Sequence, residues 1–310
     1  MFGRVSAIAM NTYREAVRAR VLFGLLALAL ATSVYSLVIA AMSVRQETRI
    51  VADIGAASMS LYAVFVSIIL GATSLYRELE LKTIFPVLTR RLRRHEYVVG
   101  KYLGIFATLL VFIAIDGAAI LAIMAIQSGK HVSLTIGVGV GMFALLGILL
   151  WRATHSRVFV LLPWSVALFV VMVLLCDDQA AERQVLVVSS LLTLAEVAIV
   201  GAVAMVFSAF SSPFLTAVFT GWLFLIGRSA DTLANIPERV FGSTVRTIGI
   251  VLAKVVPNLN LYVPARPLLL GQIAAVPVWS YVGRAWMNAI FYAVVLLALS
   301  AVIFRKRDFQ

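Results

Sequence analysis

The sequence is divided by long apolar runs, and several of them extend for about 20 residues without a charged side chain. A run of that length crosses the hydrocarbon core of a bilayer when it folds as an α-helix. The composition agrees, because 62% of the residues are hydrophobic and 13% are charged, whereas a soluble domain is about half apolar and a quarter charged. Strand-length alternation is absent, which argues against a β-barrel. The sequence therefore predicts an all-α, polytopic membrane helical bundle.

The apolar runs predict six to eight transmembrane helices. Eight spans place both termini on one side of the membrane. The pair within 132–176 is the one whose crossing the sequence leaves open, and without it the count is six with the same sidedness. The predicted spans are Val21–Met42, Ile54–Tyr76, Val98–Ile126, Val132–Trp151, Val158–Cys176, Val185–Phe210, Pro213–Gly227 and Ala285–Phe304.

Two segments outside these spans are predicted to form structure that does not cross the membrane. Residues 1–20 predict an amphipathic helix that precedes the transmembrane domain 21–310, with arginines on one side and apolar residues on the other. Such a helix lies in the membrane interface, and the alternative is the cytosolic start of the first span. Residues 228–284 predict a segment outside the membrane, in which Val240–Val256 is a candidate helix at the surface.

Positive charge predicts the orientation. The net charge is +12. In the eight-span arrangement, most Lys and Arg residues lie on the same side of the membrane as the N-terminus, in segments that include 1–20, 77–97 and the C-terminal tail. Because cytoplasmic loops carry the excess of Lys and Arg, both termini are predicted to be cytoplasmic. Abundant Ala, Val and Arg fit a bacterial inner membrane. No soluble domain is interleaved with the arginines, which argues against nucleic-acid binding.

The densest charge cluster lies between the second and third predicted spans. It reads YRELELKTIFPVLTRRLRRHEYVVGK from Tyr76 to Lys101. Apolar residues around Phe85 are bracketed by charge, and Pro86 interrupts a helix there. A short apolar-faced helix bracketed by charge is suited to docking in a groove on a soluble protein. From the residues alone, a lipid-facing loop with ordinary positive-inside arginines is an equal alternative.

Motifs for nucleotide, metal and nucleophilic chemistry are absent from the sequence. The Gly100-Lys101 pair has no glycine five positions earlier, so it cannot form a Walker A phosphate loop. None of the three histidines has another His or Cys at ligand spacing, and the single Cys176 cannot form an intrachain disulfide. We therefore expect no catalytic residue, no metal and no cofactor in this chain, which is not predicted to be an enzyme.

Asp116 and Glu196 are the two acidic residues predicted within spans. Intramembrane acids are costly and face the bundle interior or a cavity. One hypothesis makes them a proton relay, and the other makes each a structural partner of a polar group on another helix. Arg228 and Asp231 flank the end of the seventh span, where the sequence predicts a local ion pair.

These features resemble the membrane subunit of a type 2 ABC transporter, the ABC-2 permease. That family carries acids after the second span, then Thr, Pro-Val, Arg, and a Gly-Lys pair that opens the third span. The resemblance extends to the N-terminal helix, the FSAFSSP stretch from Phe207, the Pro257-Asn258-Leu259 element and the basic tail. Lys82 stands where the family has Gly, and the runs within 132–176 exceed its six-span core. The matching residues are Glu78, Glu80, Thr83, Pro86, Val87, Arg90, Gly100 and Lys101.

The resemblance implies a dimer of permease subunits, identical or different, each of which docks a cytosolic ABC ATPase through a coupling helix within 77–97. ATP and Mg²⁺ would bind on the ATPase, and the permease would extrude a substrate or pass a signal. The permease of the nitrous oxide reductase maturation transporter is one comparison within the family, and its substrate is not carried over. The implied coupling residues are Glu78, Glu80, Thr83, Phe85, Pro86, Val87, Leu88 and Arg90.

Two other functions remain as alternatives. An ion-coupled secondary transporter would use Asp116 or Glu196 as its coupling acid, but such proteins often contain inverted repeats, and the sequence contains none. An intramembrane enzyme acting on lipid needs clustered catalytic groups, and the sequence offers only two isolated acids. The leading prediction is therefore a permease driven by a separate ATPase.

Overall fold

Twelve α-helices and two 3₁₀ turns make up the described part of the chain, in which no residue belongs to a β-strand. The computed structural model describes residues 2–43, 46–80, 94–129, 132–153, 157–273 and 276–306. The all-α prediction is confirmed. The helices are α1 Phe2–Val17, α2 Arg20–Ala41, α3 Glu47–Glu80, α4 Arg94–Gln127, α5 Val132–Arg152, α6 Arg157–Leu175, α7 Ala180–Ser208, α8 Pro213–Arg228, α9 Ala230–Ala234, α10 Glu238–Val255, α11 Arg266–Leu269 and α12 Val278–Lys306, with 3₁₀ turns at Asp177–Gln179 and Leu259–Tyr262.

Seven of the described helices, α2 to α7 and α12, are long and apolar enough to cross a membrane. This number falls within the predicted range, and it includes α5 and α6, so the pair within 132–176 forms two helices of span length. The run predicted as a seventh span forms α8, a helix of 16 residues that is not among the seven. Ser212 caps its start, where its hydroxyl accepts from the Leu215 amide. The chain is a multi-pass membrane protein by this measure.

Several helices extend beyond the apolar runs that predicted them. α3 begins at Glu47 rather than at Ile54, and α12 begins at Val278 rather than at Ala285. In α3 the added turns carry Arg49 and Asp53, one helical turn apart, with 3.7 Å between Nε and Oδ2. Charged side chains can continue a helix outside hydrocarbon, so hydropathy marks the membrane-embedded part and not the helix ends.

The centre of the bundle consists of α3, α4 and α7, and α7 is buried along most of its length. α3 and α7 run parallel and approach so closely that a Cβ on Gly71 would lie 2.4 Å from the Ala204 Cβ. Tyr102 of α4 donates to the Ala198 carbonyl of α7 over 2.9 Å. The other long helices surround this centre and expose large apolar side chains, as lipid-facing helices do.

The two ends of the bundle differ. We call the end where α3 and α4 lead into residues 81–93 the loop end, and the opposite end the distal end. Phe304, near the end of α12, stacks on Tyr97 near the start of α4 with ring centres 6.1 Å apart. Because α1 also packs along the first part of α4, both ends of the described chain lie at the loop end.

The segment 228–284 is largely helical and belongs partly to α12. α10 confirms a helix over most of Val240–Val256, although its backbone is broken at Gly242, which has φ 80°. The carbonyl of Pro257 lies 2.8 Å from where a Cβ on Gly227 would stand. The segment therefore packs back against the end of α8. Together, α8 and this segment carry the chain from the loop end to the distal end, where α12 begins.

Candidate functional site

α3 and α4 are longer than a membrane crossing requires, and they are joined at the loop end. Each has 34 residues, or about 51 Å at 1.5 Å per residue, against about 30 Å for the hydrocarbon core. The Lys101 ammonium of α4 donates to the Ser74 carbonyl of α3 and lies 5.4 Å from the Tyr97 ring centre. Lys101 is 2% exposed, so this buried contact fixes the two helices to each other where they enter 81–93.

The predicted coupling residues fall into two groups at this end. Glu78 and Glu80 belong to the last turn of α3, so residues 77–80 continue α3 rather than starting a separate coupling helix. Residues 94–97 likewise belong to α4. Their contribution to coupling stays a prediction. Thr83, Phe85, Pro86, Val87, Leu88 and Arg90 lie outside the described residues.

α1 contacts the first half of α4 at two glycines. A Cβ on Gly100 would lie 2.7 Å from the Ile8 Cβ, and one on Gly104 would lie 2.6 Å from the Ala9 carbonyl oxygen. Small residues four apart let two helix backbones approach closely. The amphipathic helix predicted within 1–20 is thus confirmed as a helix, and part of its apolar side is covered by α4.

α1 also contacts α6, through an aromatic side chain. Tyr13 stacks on Phe159 with ring centres 6.1 Å apart, and the Arg14 guanidinium lies 5.6 Å from the centre of the same ring. Burial raises the pKa of the Tyr13 phenol to about 12, so it remains neutral at physiological pH. α1 is therefore held by two membrane helices at the loop end.

Glu196, in the middle of α7, forms an ion pair with Arg228, the last residue of α8. Arg228 Nε donates to Glu196 Oε1 over 2.7 Å, and Arg228 Nη2 donates to Oε2 over 3.0 Å. The same Nη2 donates to the Ser60 hydroxyl of α3 over 2.8 Å. Glu196 is fully buried, whereas the Arg228 side chain is 25% exposed. This geometry agrees with the structural hypothesis for Glu196, because the pair joins α3, α7 and α8.

The predicted local ion pair between Arg228 and Asp231 is wrong. Arg228 pairs with Glu196 instead, and Asp231 accepts hydrogen bonds from the Nδ2 atoms of Asn258 and Asn260 over 2.7 and 2.5 Å. A fully buried carboxylate needs a charged partner far more than an exposed one does, which explains the choice. The contacts of Asp231 tie α9 to the Pro257-Asn258-Leu259 element.

Asp116 is buried in α4, as predicted for an intramembrane acid, and its exposure is 0%. Neither of its carboxylate oxygens has a hydrogen-bond partner among the described residues. The Ser33 hydroxyl of α2 lies near this carboxylate. Asp116 therefore differs from Glu196, because no described basic residue forms an ion pair with it.

At the distal end, Arg266 of α11 bridges two acids on different helices. Its guanidinium donates to Asp53 of α3 and to Glu182 of α7. Gln184 of α7 also donates to the Leu269 carbonyl over 2.9 Å. These contacts hold the segment after α8 against the distal ends of α3 and α7.

Tyr262 is the second residue that holds this segment. Its phenol donates to the Ala285 carbonyl of α12 over 3.2 Å, and Asn288 Oδ1 lies 3.2 Å away. Burial raises the pKa of the Tyr262 phenol, so it stays neutral and can donate. The chain between α8 and α12 is thus held against three helices, α3, α7 and α12.

Ser60, Arg266 and Tyr262 were not predicted from the sequence. Ser60 is one of many hydroxyl residues in apolar runs, and nothing in its neighbours marks it as a ligand of a guanidinium. Arg266 lies between Pro264 and Pro267 in a segment interpreted as external. An arginine among prolines near an apolar span is a weak signal of a buried partner, and only the contact itself identifies Asp53 and Glu182.

No protein-family model matches this chain, and no curated protein matches it at a significant level. Among the described residues, no group of three or more His, Cys, Asp or Glu side chains is placed to hold a metal ion. The function is therefore inferred from the loop end, the Glu196–Arg228 pair and the sequence motifs.

Proposed function

We propose that this chain is the membrane-spanning permease subunit of an ATP-driven ABC-2 type exporter. A separate cytosolic ATPase, which docks on the 77–97 loop, supplies the energy. The observation that carries this proposal is the pair of 34-residue helices α3 and α4 at the loop end. Each exceeds the hydrocarbon thickness by about 20 Å in total. At the loop end, α3 continues four residues past its predicted span, to Glu80, and α4 begins four residues before its own, at Arg94. Residues 81–93 are therefore attached to two rigid helices that extend toward water.

The connection from this loop to the rest of the bundle supports a mechanical role. α3 and α4 are both central helices, and the Lys101–Ser74 contact joins them beside the loop. α3 in turn reaches α7 and α8 through Ser60, Glu196 and Arg228. A force applied at 77–97 would act on these packed helices rather than on a peripheral loop, because packed interiors transmit displacement.

The remaining parts of the proposal concern partners and place. A second permease subunit, identical or different, completes the transporter, and membrane lipid surrounds the exposed apolar helices. We place the protein in a bacterial inner membrane with both termini cytoplasmic, because the arginine-rich 77–97 segment and both described chain ends share the loop end. ATP and Mg²⁺ belong to the partner ATPase, since this chain has no Walker A motif.

One observation favours the ion-coupled secondary transporter as a second candidate. The Asp116 carboxylate is fully buried and has no hydrogen-bond partner among the described residues. Such a group is costly in its charged form, and exchange of a proton or cation at Asp116 would relieve that cost. Glu196 is the weaker coupling acid, because Arg228 already neutralises it.

The test is affinity purification of the tagged chain in mild detergent, with identification of the proteins that co-purify. One variant replaces Phe85, Val87 and Leu88 with Asp. The matched control adds the same three charges at exposed positions of α10, by replacing Ser243, Thr244 and Val245 with Asp. We expect a P-loop ATPase with the native chain and with the control, and none with the loop variant.

Absence of an ATPase from all three samples, with the chain folded, would contradict the proposal. Transport assays on Asp116→Asn would then test the ion-coupled alternative. Retention of the ATPase by the loop variant would also contradict the assignment of 77–97 as the docking element.

A further inference from the structure

A cavity of about 670 Å³ lies in the distal half of the bundle, between α3, α7, the end of α8 and the segment that follows α8. Arg49, Asp53 and Arg266 form its rim, and Ser60 and Arg228 form its floor. Ser60 is 13 residues after the start of α3, so the floor lies about 20 Å along that helix. The volume is in the range of about 300–1,000 Å³ that is typical of small-molecule sites.

The charged lining of this cavity is mostly positive. Three arginines and one aspartate line it, and the acids that pair with two of those arginines stand behind them. Glu196 is fully buried on the far side of Arg228 and does not line the cavity. Glu182 likewise pairs with Arg266 without lining the cavity. At the rim, Asp53 also lines the cavity and pairs with both Arg49 and Arg266. The group that favours an anion is therefore at the floor, where Arg228 lines the cavity and its carboxylate partner does not.

Arg228 still has donors to offer at the floor. Its Nε and both hydrogens of Nη2 are used by Glu196 and Ser60. Its Nη1 makes no hydrogen bond to a described residue, and a quarter of the side chain is exposed. Two N–H groups on one nitrogen of a charged guanidinium suit an oxyanion, since arginine binds carboxylate and phosphate through charge-assisted hydrogen bonds.

The wall between rim and floor is largely apolar. Ala57, Leu61, Phe224 and Leu269 line it together with a few hydroxyl side chains. A ligand that fills this space needs an apolar body in addition to its charged group. A bare inorganic ion would leave the apolar wall and most of the volume unoccupied.

We infer that the distal cavity binds a small amphipathic molecule whose carboxylate or phosphate group contacts Arg228. The apolar part of that molecule lies along Ala57, Leu61 and Phe224. The ligand is either a soluble organic anion that enters from the distal side or an anionic lipid that enters from the bilayer. This inference is independent of the proposed function, because the cavity can be tested in the purified chain without an ATPase.

The experiment measures thermal unfolding of the purified full chain in phosphatidylcholine nanodiscs, with a fluorogenic maleimide that reports exposure of the buried Cys176. In the first arm the probes are hexanoate and hexyl phosphate, which combine an apolar chain with a carboxylate or a phosphate, and hexanamide is the uncharged control. In the second arm, phosphatidylglycerol replaces half of the phosphatidylcholine. A ligand at about 100 times its Kd is expected to raise the midpoint by about 5 °C.

Two variants link the shift to the cavity. Ala57→Phe fills the space, and Ala144→Phe makes the same change at an exposed position of α5 that does not line the cavity. We expect the shift in the native chain and in Ala144→Phe, and no shift in Ala57→Phe. Arg228→Lys keeps the charge beside Glu196 but removes Nη1, and we expect it to reduce the shift by at least half.

The outcome of the two arms identifies the source of the ligand. A shift with the soluble anions assigns an aqueous ligand, and a shift only with phosphatidylglycerol assigns a lipid head group. No shift in either arm overturns the inference, and so does an equal shift in Ala57→Phe. A shift with hexanamide equal to that with hexanoate overturns the part that gives Arg228 its role.

Discussion

At the residue scale, the Glu196–Arg228 pair brings two charges into the centre of a membrane bundle. Each charge alone would be costly there, since desolvation of an unpaired ion outweighs most other contacts. The bidentate geometry and the Ser60 hydroxyl satisfy the Glu196 carboxylate and the Nε and Nη2 donors of Arg228. Arg228 is also the last residue of α8, where the negative end of the helix dipole favours a cation. The pair is therefore stabilising only while it is complete.

The first prediction is a strong coupling between these two residues. Arg228→Ala should lower the free energy of unfolding by about 3–5 kcal/mol, because it leaves the fully buried Glu196 without a charged partner. Glu196→Ala should cost less, because Arg228 is a quarter exposed and lines the distal cavity. The double variant should cost clearly less than the sum of the two. The measurement is a double-mutant cycle of unfolding in a denaturing detergent, followed by Cys176 labelling.

An exposed ion pair provides the control for this cycle. Glu238 and Arg246 of α10 pair with about half of each side chain exposed. Glu238→Ala should change the free energy of unfolding by less than about 1 kcal/mol. Additive costs at Glu196 and Arg228 would show that the buried pair does not act as a unit.

The second prediction concerns Cys176, which is 1% exposed. Burial, against the opposing effect of Arg183, raises the pKa of its thiol to about 11 from an ordinary value near 9. At pH 9 the folded protein should therefore label slowly with maleimide, whereas the unfolded chain labels fast. Because the folded state keeps this proton to higher pH, stability should fall as the pH rises from about 9 to 11.

A second cysteine position shows whether slow labelling is due to burial. In a Cys176→Ser background, Gln46→Cys places the thiol at an exposed position between α2 and α3. It should label at pH 8 at the rate of a free thiol. Equal rates for Cys176 and for Gln46→Cys in the folded protein would contradict the buried environment of Cys176.

At the element scale, glycine decides how α1 is attached. Gly100 and Gly104 present bare backbone to Ile8 and Ala9, and the helices meet there at distances that a side chain would prevent. The amphipathic pattern of residues 1–20 predicts the helix but not this contact. An interfacial helix that packs on α4 is a fixed part of the bundle at the loop end.

The third prediction is that Gly104→Leu detaches or displaces α1. The added side chain meets the Ala9 carbonyl oxygen, which is backbone and cannot rotate away, so we expect a loss of about 1–3 kcal/mol. Gly24→Leu on α2 is the matched control, because a Cβ there meets nothing within 4 Å. Thermal unfolding measures the loss. Labelling of a cysteine introduced at the buried Thr12 measures detachment, and equal labelling in both variants would contradict the contact.

α8 shows why an apolar run does not by itself define a span. Its 16 residues give about 24 Å of helix, and its last residue turns into the bundle to reach Glu196. The chain then returns through Pro257 and Leu259 against Gly227. Hydropathy reports that a segment is apolar, and it does not give the residue at which the helix ends or the partner that this residue contacts.

At the scale of the whole molecule, the fourth prediction concerns sidedness. In the Cys176→Ser background, Gly3→Cys and His95→Cys place thiols at the loop end, and Gln46→Cys places one at the distal end. In sealed vesicles, a membrane-impermeant maleimide should label the first two from the same side and the third from the other. Labelling of Gly3→Cys and Gln46→Cys from one side would contradict the bundle arrangement.

The sequence by itself determined the fold class and most of the helices. Long uncharged runs can satisfy their backbone groups in a bilayer only as helices, so α2 to α7 and α12 follow from hydropathy. The burial of Asp116 and Glu196 follows for the same reason, because an ion is not stable against lipid tails. These features depend on the preference of each residue for lipid, protein or water, and not on which other residue it contacts.

The tertiary structure decided which residues meet. Arg228 could have paired with Asp231, three residues away, and it pairs instead with Glu196, 32 residues away, because the fully buried carboxylate loses more without a partner. The glycine contacts of α1 and the arginine-lined distal cavity likewise depend on helices that are far apart in sequence. A contact between two residues depends on the angles at which their helices pack and on how deep each residue lies in the bundle. The local sequence pattern gives neither of these quantities.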